Sequence, residues 1–82
     1  GWNEVAHERP SALFAGVADR TDFYFVHGYH LVPDEPGDRL AVTPYCGGIT
    51  AAVSRGSVHG VQFHPEKSQR AGFQLLRNFL AL

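Results

Sequence analysis

The stretch Gly60-Val61-Gln62-Phe63-His64-Pro65-Glu66-Lys67-Ser68 places an imidazole and a carboxylate two residues apart at the end of an apolar run. Val58, Val61 and Phe63, with Gly60 between them, read as a short buried strand. Pro65 has no amide hydrogen to give to a sheet, so pairing is expected to stop there. It also biases His64 towards an extended backbone. Side chains two apart on an extended chain point the same way, which would set His64 and Glu66 on one face just past the strand. Strand ends in α/β sheets are frequent ligand sites.

Such a pair supports base catalysis. A neutral imidazole takes a proton from a thiol or hydroxyl, and a carboxylate on its other nitrogen fixes the tautomer and stabilises the imidazolium. The pair lacks a nucleophile. On spacing alone it reads as readily as a polar strand-to-helix turn, with Glu66 favouring a helix N-terminus.

The rest of the chain supplies mostly strands. Trp2 and Val5 flank Asn3 and Glu4 in a short alternating segment, followed by a polar break from His7 to Pro10. Ser11 is positioned to cap a turn carrying Leu13, Phe14 and Val17 and ending near Gly16. Asp22 to Val26 is aromatic and β-branched and reads as a strand buried on both faces. Pro33, Pro36 and Gly37 mark a surface loop. A strand around Leu40 and Val42 follows, then a turn at Cys46-Gly47-Gly48. Ile49–Val53 and Val58–Phe63 form a hairpin about a turn at Ser54–Ser57. Beyond Pro65, Phe73, Leu76, Phe79 and Leu80 recur at helical spacing and predict an amphipathic helix of about 10–12 residues. Strands in succession with one terminal helix are an α+β pattern on their own.

Composition narrows the function classes. Eighty-two residues make at most one small domain. Seven Lys+Arg against eight Asp+Glu give a net charge of −1, which lacks the basic stripe of a nucleic-acid binder. No apolar run approaches the about 18–20 residues of a membrane span, and no secretion signal is expected. A single cysteine rules out an internal disulfide and fits a reducing, cytoplasmic setting. The five histidines fall at spacings unsuited to zinc: His27 and His30 would lie on opposite faces of a strand, and no H-x-x-x-H pair occurs.

The string G-V-Q-F-H-P-E-K-S resembles the C-terminal signature of class I, triad-type glutamine amidotransferases, in which G-x-Q-x-H-P-E supplies the His and Glu of a Cys-His-Glu triad. Lys67-Ser68, the opening Gly1-Trp2-Asn3 and the segment Tyr24-Phe25-Val26-His27-Gly28-Tyr29 are most similar to the glutaminase subunits of imidazole glycerol phosphate synthases. The resemblance runs over residues 1–82. It implies an α/β fold: the C-terminal part of a flavodoxin-like, doubly wound amidotransferase domain, mostly strands and a hairpin followed by one C-terminal helix. The nucleophile-bearing N-terminal portion would be absent, leaving an orphaned sheet edge and apolar face exposed.

The resemblance also implies roles. His64 and Glu66 would be catalytic, while His27, Gly28 and Tyr29 would line the glutamine pocket. Gly28 stands where the family usually has Ser or Thr, so backbone contacts carry over there. Trp2, Asn3 and Lys67 would face a cyclase subunit of the (β/α)₈ barrel type. No metal or organic cofactor is implied. Cys46 sits in Tyr45-Cys46-Gly47-Gly48, which is not G-x-C-x-G, and the family commonly has Tyr-Gly-Gly in this turn. It therefore reads as a turn residue. The alternatives are an amidotransferase of the anthranilate or guanylate synthesis type, and a non-catalytic interaction module.

Overall fold

The computed structural model of the chain describes residues 1–25, 32–44 and 48–82. Five strands run in chain order: β1 (Trp2–His7), β2 (Thr21–Tyr24), β3 (Arg39–Thr43), β4 (Ile49–Arg55) and β5 (Val58–Val61). They form one sheet in the order β2-β1-β3-β4-β5, and each neighbouring pair is antiparallel. Short 3₁₀ turns cover Ala12–Phe14, Pro36–Asp38 and Pro65–Lys67, and α1 (Gln69–Leu80), the one α-helix among the described residues, follows the last of them. The expected succession of strands, hairpin and C-terminal helix is present.

β1 changes partners along its length. Trp2 to Val5 pair with β2, whereas Ala6 and His7 pair with β3. The sequence placed a polar break at His7, but its pairing with Ala41 carries the strand to that residue. Ser11 accepts the Leu13 amide at 3.1 Å and starts the first 3₁₀ turn, as its position suggested. Gly16 closes that segment at φ +75°.

The core gathers on one side of the sheet. Phe23 and Phe25 are fully buried and meet Phe63 with ring centroids at 4.3 and 5.6 Å. Phe14 meets Phe23 edge-on at 6.4 Å. Val5, Leu13, Leu40 and Leu75 complete the cluster. The aromatic strand is not buried on both faces as its composition implied: Asp22 is exposed and Tyr24 half-buried, so β2 alternates as an edge strand should. Consecutive burial occurs instead in β4, at Thr50, Ala51 and Ala52. The two alanines are small enough to be covered on both sides, and nothing in their β-propensity flags them.

The β4–β5 hairpin is tighter than the sequence suggested. Arg55 pairs with Val58, leaving Gly56 and Ser57 as a two-residue turn, with Gly56 at φ +58°. The ladder ends before Pro65: β5 stops at Val61, and Gln62 gives one last amide to Ala51 O at 2.8 Å. The chain then leaves β4 and crosses to the opposite edge of the sheet, where the His64 amide donates to Tyr24 O at 2.8 Å. The sheet is thereby curled, with its two ends tied together through residues 62–64.

α1 docks by a face other than its large-residue stripe. Phe73, Phe79 and Leu80 are 56%, 49% and 82% exposed. Gly72 and Leu75 are buried and Ala71 packs on the core. Asn78 donates its amide hydrogens to Leu13 O at 2.9 Å and Ala15 O at 2.7 Å, pinning the helix to the first 3₁₀ turn. The residues that set the helical period thus face outward. A Cβ built on Gly72 would stand 1.8 Å from Pro65 O and 3.0 Å from the Ser68 Cβ. Gly72→Ala therefore gains about 1 kcal/mol of helix propensity and loses more to overpacking, a cost of about 1–3 kcal/mol and occasionally more. Its thermal midpoint should fall; a midpoint equal to or above the parent's would show that the helix does not need this close approach.

Candidate active site

His64 and Glu66 lie where the two ends of the sheet meet, with Trp2 and Lys67 beside them. His64 has an extended backbone, φ −101° and ψ 97°, as the residue before a proline should. Pro65, Glu66 and Lys67 do not continue that extension. They form a 3₁₀ turn with Pro65 at its start, closed by Lys67 N to His64 O at 3.1 Å and Ser68 N to Pro65 O at 3.0 Å. The turn, rather than strand alternation, carries the Glu66 side chain back to the imidazole. His64 Nδ1 and Glu66 Oε2 are 3.0 Å apart.

This geometry assigns the two ring nitrogens. With Glu66 ionised, it accepts a hydrogen from Nδ1, which leaves Nε2 of a neutral imidazole as the proton acceptor. The ring and carboxylate side chains are 40% and 57% exposed, so the pair lies at the surface. The Glu66 carboxyl is held below its ordinary value of 4.5, chiefly by its own backbone amide; desolvation opposes this, and the hydrogen bond and charge of His64 and the charge of Lys67 add smaller lowering effects. The sign follows: any stability from this contact is present above pH 4.5 and is lost only as pH falls through the lowered value.

The turn is anchored to the sheet edge. Gly1 and Phe25 exchange both backbone hydrogen bonds at 2.8 Å, so the adjoining pair Trp2–Tyr24 is of the non-hydrogen-bonded kind. The amide and carbonyl of Tyr24 therefore face away from β1. The carbonyl accepts from His64 N at 2.8 Å, and the amide donates to Ser68 Oγ at 2.9 Å. Ser68 Oγ in turn donates to His64 O at 2.6 Å. Ser68 stands where a helix N-cap belongs, but its side chain serves Tyr24 and His64 instead of α1. Tyr24, Ser68 and Gly72 were missed as site residues. An isolated glycine in a helical pattern was the available signal for Gly72; the long-range bonds of Tyr24 and Ser68 left none.

Beside the turn, Lys67 Nζ lies 5.8 Å from the centre of the Tyr24 ring, and Trp2 meets that ring edge-on at 5.7 Å. Trp2 and Lys67 thus belong to one exposed surface next to His64. Asn3 is on the other side of β1, the side of buried Val5. His27, Gly28, Tyr29 and Cys46 lie outside the described residues. Among the described residues, no three His, Cys, Asp or Glu side chains are grouped to hold a metal. Nor does any described helix have the length and apolar character to cross a membrane.

A curled antiparallel sheet, a terminal helix and a His–Pro–Glu turn are the features on which the family comparison bears: residues 1–82 match the class-I glutamine amidotransferases, and the chain belongs to that family. It is 49% identical over 79 residues to the imidazole glycerol phosphate synthase subunit HisH of Moorella thermoacetica, covering 96% of this chain and 38% of that protein. The protein of the same name from Methylococcus capsulatus is 52% identical over 81 residues, covering 98% of this chain and 37% of the relative. That from Chromobacterium violaceum is 48% identical over 81 residues, covering 99% and 38%. The chain thus spans well under half the length of these curated relatives.

Glu66→Gln, made in the intact subunit, keeps the shape of the side chain and removes its charge. Glutamine hydrolysis should fall by about tenfold or more, yet by less than the about 10⁴ seen when a buried triad carboxylate is replaced, because Glu66 is largely exposed. The carboxyl, held below its ordinary value, is ionised from about pH 5 upward, so the variant should be impaired throughout that range. A variant as active as the parent would show that the Glu66 charge does nothing for His64.

Proposed function

We propose that residues 1–82 are a C-terminal portion of the single amidotransferase domain in the glutaminase subunit of an imidazole glycerol phosphate synthase. The observation that carries this reading is identity near 50% to HisH proteins across almost the whole chain. The intact subunit hydrolyses glutamine and supplies ammonia to a cyclase subunit in histidine biosynthesis, in a reducing cytoplasm. The cyclase is of the (β/α)₈ barrel type. The surface shared by Trp2 and Lys67 is its docking face; Asn3, on the other side of β1, is not part of that surface. His27, Gly28 and Tyr29, which follow β2 in sequence, line the glutamine pocket.

The chemistry follows from the two nitrogens of His64. A cysteine thiol from a preceding segment loses its proton to Nε2 and attacks the side-chain amide carbon of glutamine. The same proton passes to the departing nitrogen, which leaves as ammonia while a thioester remains. Water then gives a proton to Nε2 and attacks the thioester, releasing glutamate and restoring the thiol. Through both halves Glu66 holds Nδ1 and balances the imidazolium charge. The exposed apolar stripe of α1 and the half-exposed imidazole are both consistent with further protein covering this side.

The test is glutamate release by the intact subunit together with its cyclase. His64→Ala should lower it by about 10²-fold or more, within the range of general acid–base catalysis, without loss of cyclase binding. Equal release by parent and variant would end the glutaminase reading.

A further inference from the structure

Ser68 is 2% exposed, yet its hydroxyl caps no helix and faces no solvent. It bridges two backbone groups that are far apart in sequence: it accepts from Tyr24 N at 2.9 Å and donates to His64 O at 2.6 Å. With His64 N on Tyr24 O at 2.8 Å, these bonds form a closed ring. Both backbone groups of His64 are then tied, one directly and one through the hydroxyl, to a single residue of the sheet edge. That fixes the direction of the His64 Cα–Cβ bond and leaves only side-chain torsions, which the Nδ1–Glu66 contact sets. Gly72 leaves the room: a Cβ there would press within 3.0 Å of the Ser68 Cβ.

We propose that Ser68 is a positioning residue for the His64–Glu66 pair, its hydroxyl locking the general base to the β2 edge so that Nε2 keeps its aim through both half-reactions. It touches neither substrate nor reacting atoms. The proposal rests on the glutaminase reading and assigns that site a part the triad does not include. No other side-chain chemistry suits the place. Tyr24 N takes an acceptor here and His64 O, which also accepts from Lys67 N, takes a second donor; on a small side chain a hydroxyl supplies both from one atom.

The experiment uses the intact subunit with its cyclase and compares Ser68→Thr with Ser68→Val. The two substitutes have the same shape and differ by a hydroxyl against a methyl. Each is assayed for glutamate release at a temperature where circular dichroism shows it folded. Ser68→Thr should stay within about threefold of the parent kcat, and Ser68→Val should lose about 10–100-fold, the scale of a misplaced reacting group. Where the added methyl prevents folding of either, Ser68→Ala replaces the pair and should show the same loss in kcat with the protein folded. Equal kcat for Val and Thr, or a folded Ala variant with parental kcat, would overturn the proposal. His64→Ala is carried alongside. If it is as active as the parent, the glutaminase reading fails and takes this proposal with it; if it is inactive while the Ser68 variants are unimpaired, only the role of Ser68 falls.

Discussion

The backbone of Tyr24 is the constraint on which the site depends. An edge strand presents amide and carbonyl groups that its own sheet cannot satisfy, and leaving them buried without partners is costly. Here the Tyr24 groups pointing away from β1 are taken up by His64 N and Ser68 Oγ. The bonds that quiet the edge are the same bonds that place the imidazole. Stability and site geometry are therefore not separable at this residue, and the His–Pro–Glu turn is a closing piece of the sheet as well as the seat of the His64–Glu66 pair.

The helix holds this closure from outside. α1 approaches the turn so closely that Pro65 O occupies the space of a Gly72 side chain, and Asn78 binds its far end to the first 3₁₀ turn. Gln69, which joins turn and helix, sits at φ +54°, a conformation that non-glycine residues adopt at some cost. Gly72, Ala71, Leu75 and Asn78 serve this docking, and the large apolar residues Phe73, Phe79 and Leu80 are left outward.

Much of this was legible in residues 58–68. The apolar run, the proline and the H-x-E spacing marked a strand, its end and a shared face, and the residue pattern around them pointed to the amidotransferase family. The helix was legible from its period, but its buried face was not, because periodicity of large residues cannot show that Gly72, Ala71 and Asn78 are the contact. The aromatic segment Phe23-Tyr24-Phe25 suggested burial on both faces, whereas pairing on one side only makes it an edge. The proximity of His64 and Glu66 was expected from extended geometry and arises from a 3₁₀ turn instead. Long-range backbone bonds such as Tyr24–His64 leave no mark in a single sequence.

The central claim is that His64 is held with Nδ1 on Glu66 and Nε2 free. Long-range proton–nitrogen NMR of the intact subunit, labelled at the histidine ring nitrogens, reports which nitrogen of the neutral imidazole carries the hydrogen. The structure predicts the Nδ1-protonated form for His64, the less common one for a solvated histidine, and its loss in Glu66→Gln. A neutral His64 protonated at Nε2, unchanged when Glu66 is replaced, would contradict the account.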